Sequence, residues 1–233
     1  MAIEKNLEHY LMQQTPALRK DIAAECTLAG KDCFLYVPAN PAKKVCVVAH
    51  IDTVHPEDYA IKELIHDNGK GSIWSPQGLG ADDRAGVWAG LHLFHTMHPD
   101  FQPYLLLCDK EEKGGVGARE AAEMFKDVLR SESITYFIEM DRANSQDSVF
   151  YCGEPEAFKD YVNAFGFVQA RGTFSDVAVL GPAAQKCTVN LSTGYYYQHT
   201  KREILVVSEL MDTLWKVKNM IVDNALQQRM WLN

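Results

Sequence analysis

The sequence predicts an α/β fold, a globule with a mostly parallel central sheet. Three observations point there. Residues 45–49 (VCVVA), 104–108 (YLLLC), 135–140 (TYFIEM) and, less apolar, 187–191 (CTVNL) have the length and hydrophobicity of buried strands. Between them, apolar residues recur at helical spacing. Strand and helix therefore alternate, which favours a parallel sheet covered by helices on both faces. With 233 residues, 47% hydrophobic and 23% charged, the chain can bury the core of one large domain, and residues 1–233 are expected to form a single domain.

In chain order, residues 2–13 place Ile3, Leu7, Tyr10 and Leu11 on one side of an amphipathic helix. The first strand follows at 45–49. DNGKG (67–71) and SPQG (75–78) punctuate a loop or hairpin. Residues 84–97 form a helix with Val87, Trp88, Leu91 and Phe94 on one stripe, and residues 116–129 another with Ala118, Ala122, Phe125 and Leu129. A long helix over 208–225 closes the chain. No internal repeat or low-complexity linker interrupts this series.

The formal charge of -8 argues against a nucleic-acid partner, because such binding rests on Lys and Arg neutralising phosphates. The six cysteines form no C-x-x-C pair, and Cys46 and Cys108 sit inside apolar runs. They read as reduced, buried thiols rather than zinc ligands or a disulfide framework. With no signal-type h-region and no apolar stretch near ~18 residues, a cytoplasmic protein without membrane contact is expected.

The chemistry lies in five short segments: AHIDTV (49–54), GADDRAG (80–86), DKEEKGGVGA (109–118), EMDRA (139–143) and HTKRE (199–203). Three of them follow strands, so His50, the Glu111-Glu112 pair and Asp141 should collect at one edge of the sheet, where open parallel sheets bind ligands. Imidazole and carboxylate are zinc donors. His50 alone could equally be structural; Asp52, two residues on, can turn back to its second ring nitrogen and fix its tautomer. Asp82 and Asp83 could cap a helix, yet one acid suffices for that, and Asp82 is read as a ligand held between two metals with Asp83 in support. Glu111 and Glu112 could be a surface pair; the glycines after them suit a close backbone approach, with one acid ligating and the other handling protons.

Together these segments closely resemble those of the co-catalytic two-zinc exopeptidase superfamily of aminopeptidases, the bacterial tripeptidase, glutamate carboxypeptidases and aminoacylases. The resemblance spans about residues 45–206. It implies a three-layer α/β/α globule with two divalent ions about 3.5–4 Å apart, zinc or alternatively cobalt or manganese. By this resemblance His50 and Asp141 would hold one ion, Glu112 and His199 the other, and Asp82 would bridge them. Glu111 would be the general base and Asp52 the acid that orients the histidine.

Superfamily members often carry a second domain, for which the intervals between Asp52 and Asp82 and between Asp141 and His199 leave no space. That compactness favours an aminopeptidase acting on peptides over an N-acyl amino-acid deacylase or carboxypeptidase, with a monomer or small homo-oligomer expected. A zinc-binding module without turnover is disfavoured by the presence of Glu111. A two-metal phosphoesterase would call for basic phosphate clamps beyond Arg84 and Arg142. His92, His95 and His98 drift around a helix and are left outside the site, as are His9, His55 and His66. Tyr195, Tyr196 and Tyr197 could pack as ordinary aromatics or supply a hydroxyl to the oxyanion. Asp176 in GTFSD resembles a Gly-Thr-Asp segment of the superfamily's aminopeptidases with extra residues interposed, and receives no role.

Overall fold

The computed structural model describes residues 2–227 and residue 231. The chain begins with two helices, α1 (Ala2–Met12) and α2 (Thr15–Glu25), and continues through β1 (Leu28–Ala29), β2 (Cys33–Tyr36), β3 (Lys44–His50), the hairpin β4 (Ile65–Asp67) and β5 (Ser72–Trp74), and α3 (Ala81–Thr96). Next come β6 (Tyr104–Cys108), α4 (Val116–Met124), α5 (Lys126–Arg130), β7 (Ile134–Arg142), β8 (Asp147–Val149), α6 (Glu156–Asn163) and β9 (Val168–Ala170). It ends with α7 (Val177–Ala184), β10 (Thr188–Ser192), β11 (Tyr195–Tyr196), β12 (Ile204–Val206) and α8 (Val207–Gln227).

Eight strands form one sheet in the order β1-β2-β6-β3-β7-β10-β8-β9. The four predicted strands are its parallel centre: β3 pairs with β6 and with β7, and β10 with β7, all parallel. Antiparallel pairs flank them on both sides. All seven residues of β3 are buried, which is why this strand reads as an unbroken apolar run. Its side chains divide by the period of two: Val45, Val47 and Ala49 join a cluster with Leu7, Ile22, Trp88, Phe158 and Val217, while Cys46 and Val48 join one with Ala118, Leu129, Val177 and Leu180. Helices α1, α2, α3, α6 and α8 thus cover one face and α4, α5 and α7 the other, giving the three layers expected.

The chain leaves β3 toward the first face, through α3, and leaves β6 toward the second, through α4. A crevice opens between the carboxyl ends of two strands whose connections diverge in this way. A second, antiparallel sheet in the order β11-β12-β5-β4 holds the His199 segment, which joins β11 to β12.

Several predicted elements differ in detail. Leu7 and Leu11 of α1 are buried, whereas the side chain of Ile3 lies outside the described residues. Helix α3 is buried almost all round rather than on one stripe, because α1 and α8 pack on it opposite the sheet. The helix predicted over 116–129 is two: Phe125 (φ -104, ψ 17) closes α4 and begins α5, and both then direct apolar residues into one cluster. The six cysteines are free thiols. No described helix is long and apolar enough to cross a membrane.

Candidate metal centre

Asp82 stands at the middle of the site. Its Oδ1 lies 3.2 Å from His50 Nε2 and its Oδ2 3.2 Å from His199 Nε2. Asp141 Oδ1 approaches His50 Nε2 at 3.5 Å, and Glu112 Oε1 approaches His199 Nε2 at 3.0 Å. One imidazole and one carboxylate therefore flank Asp82 on each side. Donor atoms of His50, Asp82 and Glu112 lie within 4.8 Å of one another, as do those of His50, Asp83 and Asp141. Glu112 Oε1 is buried and makes no hydrogen bond despite its closeness to His199, as befits two donors aimed at a common point. Nitrogen and oxygen donors in such a cluster fit divalent cations of the zinc type.

Electrostatics argue for the same fit. Asp141 is pushed well above the usual carboxylate range by burial and by Asp82, and burial with Asp82 raises Glu112 to about 7. Burial opposes the charge on Asp82, but hydrogen bonds from His199 and His50 hold its carboxyl below the ordinary range. Burial likewise opposes a proton on His50, and Asp141, Asp52 and Asp82 overcome it. A group of carboxylates that retains protons for want of positive charge is an environment that bound dications relieve.

Each side chain is delivered by a distinct local device. His50 is the last residue of β3, and Asp141 falls one residue before the end of β7. Asp52 does more than the predicted orientation of the histidine: its Oδ1 lies 3.3 Å from His50 Nδ1, and its carboxylate accepts the backbone N–H of Glu111 (3.0 Å) and of Glu112 (3.3 Å). This one acid ties the end of β3 to the turn after β6. The Asp52 carbonyl also lies 3.0 Å from His50 Nδ1.

The adjacent acids of GADDRAG separate in role. Asp83 accepts the N–H of Gly86 at 3.1 Å, a helix-capping bond, and the N–H of His50 at 3.1 Å. Asp82 is left to face both imidazoles. Gly80 adopts φ 69, and the Asp82–Asp83 peptide is cis. Glu203, at the end of HTKRE, accepts the N–H of Gly80 (2.6 Å) and of Asp82 (2.9 Å) and so ties the Asp82 turn to the His199 loop.

Asn190 and Ser175 escape the sequence reading, which gives Tyr195 and Asp176 no settled role. Asn190, on β10, pairs with the backbone of Asp141 on both edges, accepting its N–H at 3.0 Å and donating to its carbonyl at 2.9 Å. The Tyr195 hydroxyl donates to Asp141 Oδ1 at 3.1 Å, so it is neither simple packing nor free for an oxyanion. Beneath them Ser175 bonds Asn190 and Glu139, and Asp176 is fully buried with neither oxygen hydrogen-bonded. Burial and Glu139 raise the Asp176 carboxyl well above its ordinary range.

Glu111, Glu112, Asp82, Asp141 and His199 open onto a cavity of about 360 Å³ that Arg142, Phe174 and Gln198 also line. His92, His95 and His98 are not among the residues that line it. His55 packs against Tyr59 with ring centroids 4.4 Å apart and lines a neighbouring cleft that reaches Asp52 and Glu112.

Among solved structures, the chain is similar to the TET1 peptidase of Pyrococcus horikoshii (TM-score 0.68, 11% identity, covering 94% of this chain and 99% of that one). It is also similar to an aminopeptidase from the archaeon Desulfurococcus kamchatkensis (TM-score 0.68, 11% identity, 95% of each chain). A tripeptidase from Staphylococcus aureus subsp. aureus Mu50 gives a TM-score of 0.63 at 14% identity, over 94% of this chain and 96% of that one. At these identities the likeness is one of fold. No curated protein matches at the level of sequence. The sequence profile of peptidase family M28 matches residues 35–182, well over half the chain and all of the site segments except the one bearing His199. This chain belongs to peptidase family M28, a family of metal-dependent hydrolases of peptide bonds.

Proposed function

We propose that this protein is a two-metal exopeptidase, most simply an aminopeptidase that removes N-terminal residues from peptides. The observation that carries the reading is the division of the Asp82 carboxylate between His50 and His199, with Asp141 and Glu112 one to each side. In this reading His50 and Asp141 would hold one ion and Glu112 and His199 the other, with Asp82 placed to serve both. Bound there, a pair of divalent ions, zinc by donor type, supplies Lewis acidity toward the scissile carbonyl and a water of lowered pKa.

The chain's own residues do the rest. Glu111 opens onto the same cavity, and burial, with Asp82 and Asp52 nearby, raises its carboxyl above the ordinary value. An acid so raised can take the proton of the attacking water and return it to the leaving amine. Asp52 holds the backbone of Glu111 and the ring of His50 together, so base and ligand keep a fixed relation. Tyr195 and Asn190 hold the Asp141 side chain and backbone, respectively.

The catalytic unit in this reading is a single domain over residues 1–233, acting as a monomer or small homo-oligomer. The P. horikoshii relative can assemble into a tetrahedron or a large octahedral shell; for this chain, sedimentation of the purified protein decides. The activity is tested with aminoacyl-arylamides, free dipeptides and N-acetyl amino acids, each with and without chelator, on protein of measured metal content. Chelator-sensitive cleavage of the first two classes is expected. Cleavage of the N-acetyl compounds alone would establish a deacylase instead.

A further inference from the structure

The cavity lined by Glu111 also carries a charge that the chemistry above does not use. Arg142 follows Asp141 directly and lines the cavity, where among the described residues it is the one permanently cationic group. Its guanidinium has two partners, with Nε 3.4 Å from Asp147 Oδ2 and Nη2 donating to the Arg171 carbonyl at 3.3 Å. Asp147 is itself fixed, accepting from Asn144 Nδ2 at 3.0 Å and donating its N–H to Ser192 Oγ at 2.9 Å. Both contacts to Arg142 are long and single. A guanidinium has five N–H donors in a planar fork, and the side chain is 29% exposed, so donors remain for a ligand in the cavity.

The lysines on the other flank are placed differently. Lys110 is held by Asp32 at 2.7 Å, and Lys113 faces Glu57 at 3.8 Å; both line the neighbouring cleft rather than this cavity. Arg142 is therefore the group that gives a bound peptide's charge something to meet. A fork of this kind matches a carboxylate in two-point geometry.

Resting on the exopeptidase reading, we infer that Arg142 is a specificity residue that binds a carboxylate of the peptide substrate close to the scissile bond. The enzyme would then favour short peptides whose own terminus lies one or two residues from the metals, or peptides with an acidic side chain there. Because Arg142 neighbours Asp141 in the chain, the pocket it forms is fixed to the metal centre and does not depend on a mobile element.

The test compares kcat and KM of the metal-loaded enzyme on Ala-Ala, Ala-Ala-amide, Ala-Asp-amide and Ala-Ala-Ala, for the wild type, Arg142→Met and Arg142→Lys. Charge-assisted contacts predict a preference of about tenfold or more in kcat/KM for the acid over the amide, expressed chiefly in KM. Arg142→Met should level the two, and Arg142→Lys should restore part of the preference while metal content stays at the wild-type value. Preference for Ala-Ala over its amide identifies the terminal carboxylate as the source, and preference for Ala-Asp-amide over Ala-Ala-amide the side chain. Equal rates on acids and amides by the wild type, or an unchanged preference in Arg142→Met, overturn the inference and leave the exopeptidase standing. Failure of the metal-loaded wild type to cleave any of the four, or an arylamide, overturns both.

Discussion

Asn190→Ala removes a side chain that touches no predicted ligand side chain, yet it should damage one half of the metal centre. Asn190 is 1% exposed and makes three bonds: to the N–H of Asp141 (3.0 Å), to its carbonyl (2.9 Å) and to Ser175 Oγ (2.9 Å). The alanine leaves the Asp141 backbone without these partners. Each neutral bond contributes about 1 kcal/mol net, and a buried polar group left unpaired costs about 1–3 kcal/mol. A loss of about 3 kcal/mol follows, and for a chain of this size about 2–4 °C per kcal/mol puts the fall in Tm at about 6–12 °C. Loss of an outer partner should also weaken the His50–Asp141 metal position by about 10–100-fold, while the Glu112–His199 position retains its ion. Calorimetry of the metal-free protein and competition of each ion against a chelator measure the two effects. An Asn190→Ala protein with wild-type Tm and wild-type affinity at both positions would refute the assignment of Asn190 as the support of Asp141.

Three other perturbations test separate steps. Glu111→Gln should keep its metal and lose about 10²–10⁴-fold in kcat, as removal of a general base does; intact metal with near-normal turnover would remove Glu111 from that role. In the metal-free protein, hydrogen bonding to Asp82 raises His199 to about 9, and its Asp141, Asp52 and Asp82 neighbours raise His50 despite burial. Both imidazoles then carry protons at neutral pH, and a metal takes only the neutral ring. Loading should therefore release protons in a weakly buffered titration, and affinity should rise with pH up to about 9; affinity that is flat from pH 6 to 9 speaks against these histidines as ligands. Gly86→Ala would drive a Cβ into the Met140 carbonyl and the Asp83 carboxylate, parting α3 from β7 at a cost of about 1–3 kcal/mol, and a variant of unchanged Tm would show that this contact yields freely.

The central strands were legible because burial on both faces leaves them uniformly apolar, as the seven buried residues of β3 illustrate. Strand β2 is just as buried, yet its four residues CFLY are too short to stand out. Strands β8, β9, β11 and β12 span two or three residues each and have no readable period. Helix α7 hides behind Gly181 and Pro182 within it. The site was legible where a single chain segment contains the cue: an acid or histidine at the end of an apolar run. It was not legible where a residue acts across the fold. Asn190 meets Asp141 from the neighbouring strand, and Glu203 reaches back to Gly80 and Asp82; no local pattern marks either partnership. Tyr195 stood among three tyrosines, and only its position beside Asp141 separates it from Tyr197, which is 64% exposed.

The most direct test of the shared-carboxylate centre is a titration of metal-free protein with zinc, read simultaneously as bound metal and as peptide hydrolysis. Asp82 between His50 and His199 predicts about two ions per chain at saturation, with turnover rising through the second equivalent and an Asp82→Asn protein losing both. Saturation of binding and turnover by a single equivalent, with Asp82→Asn indistinguishable from the wild type, would contradict it.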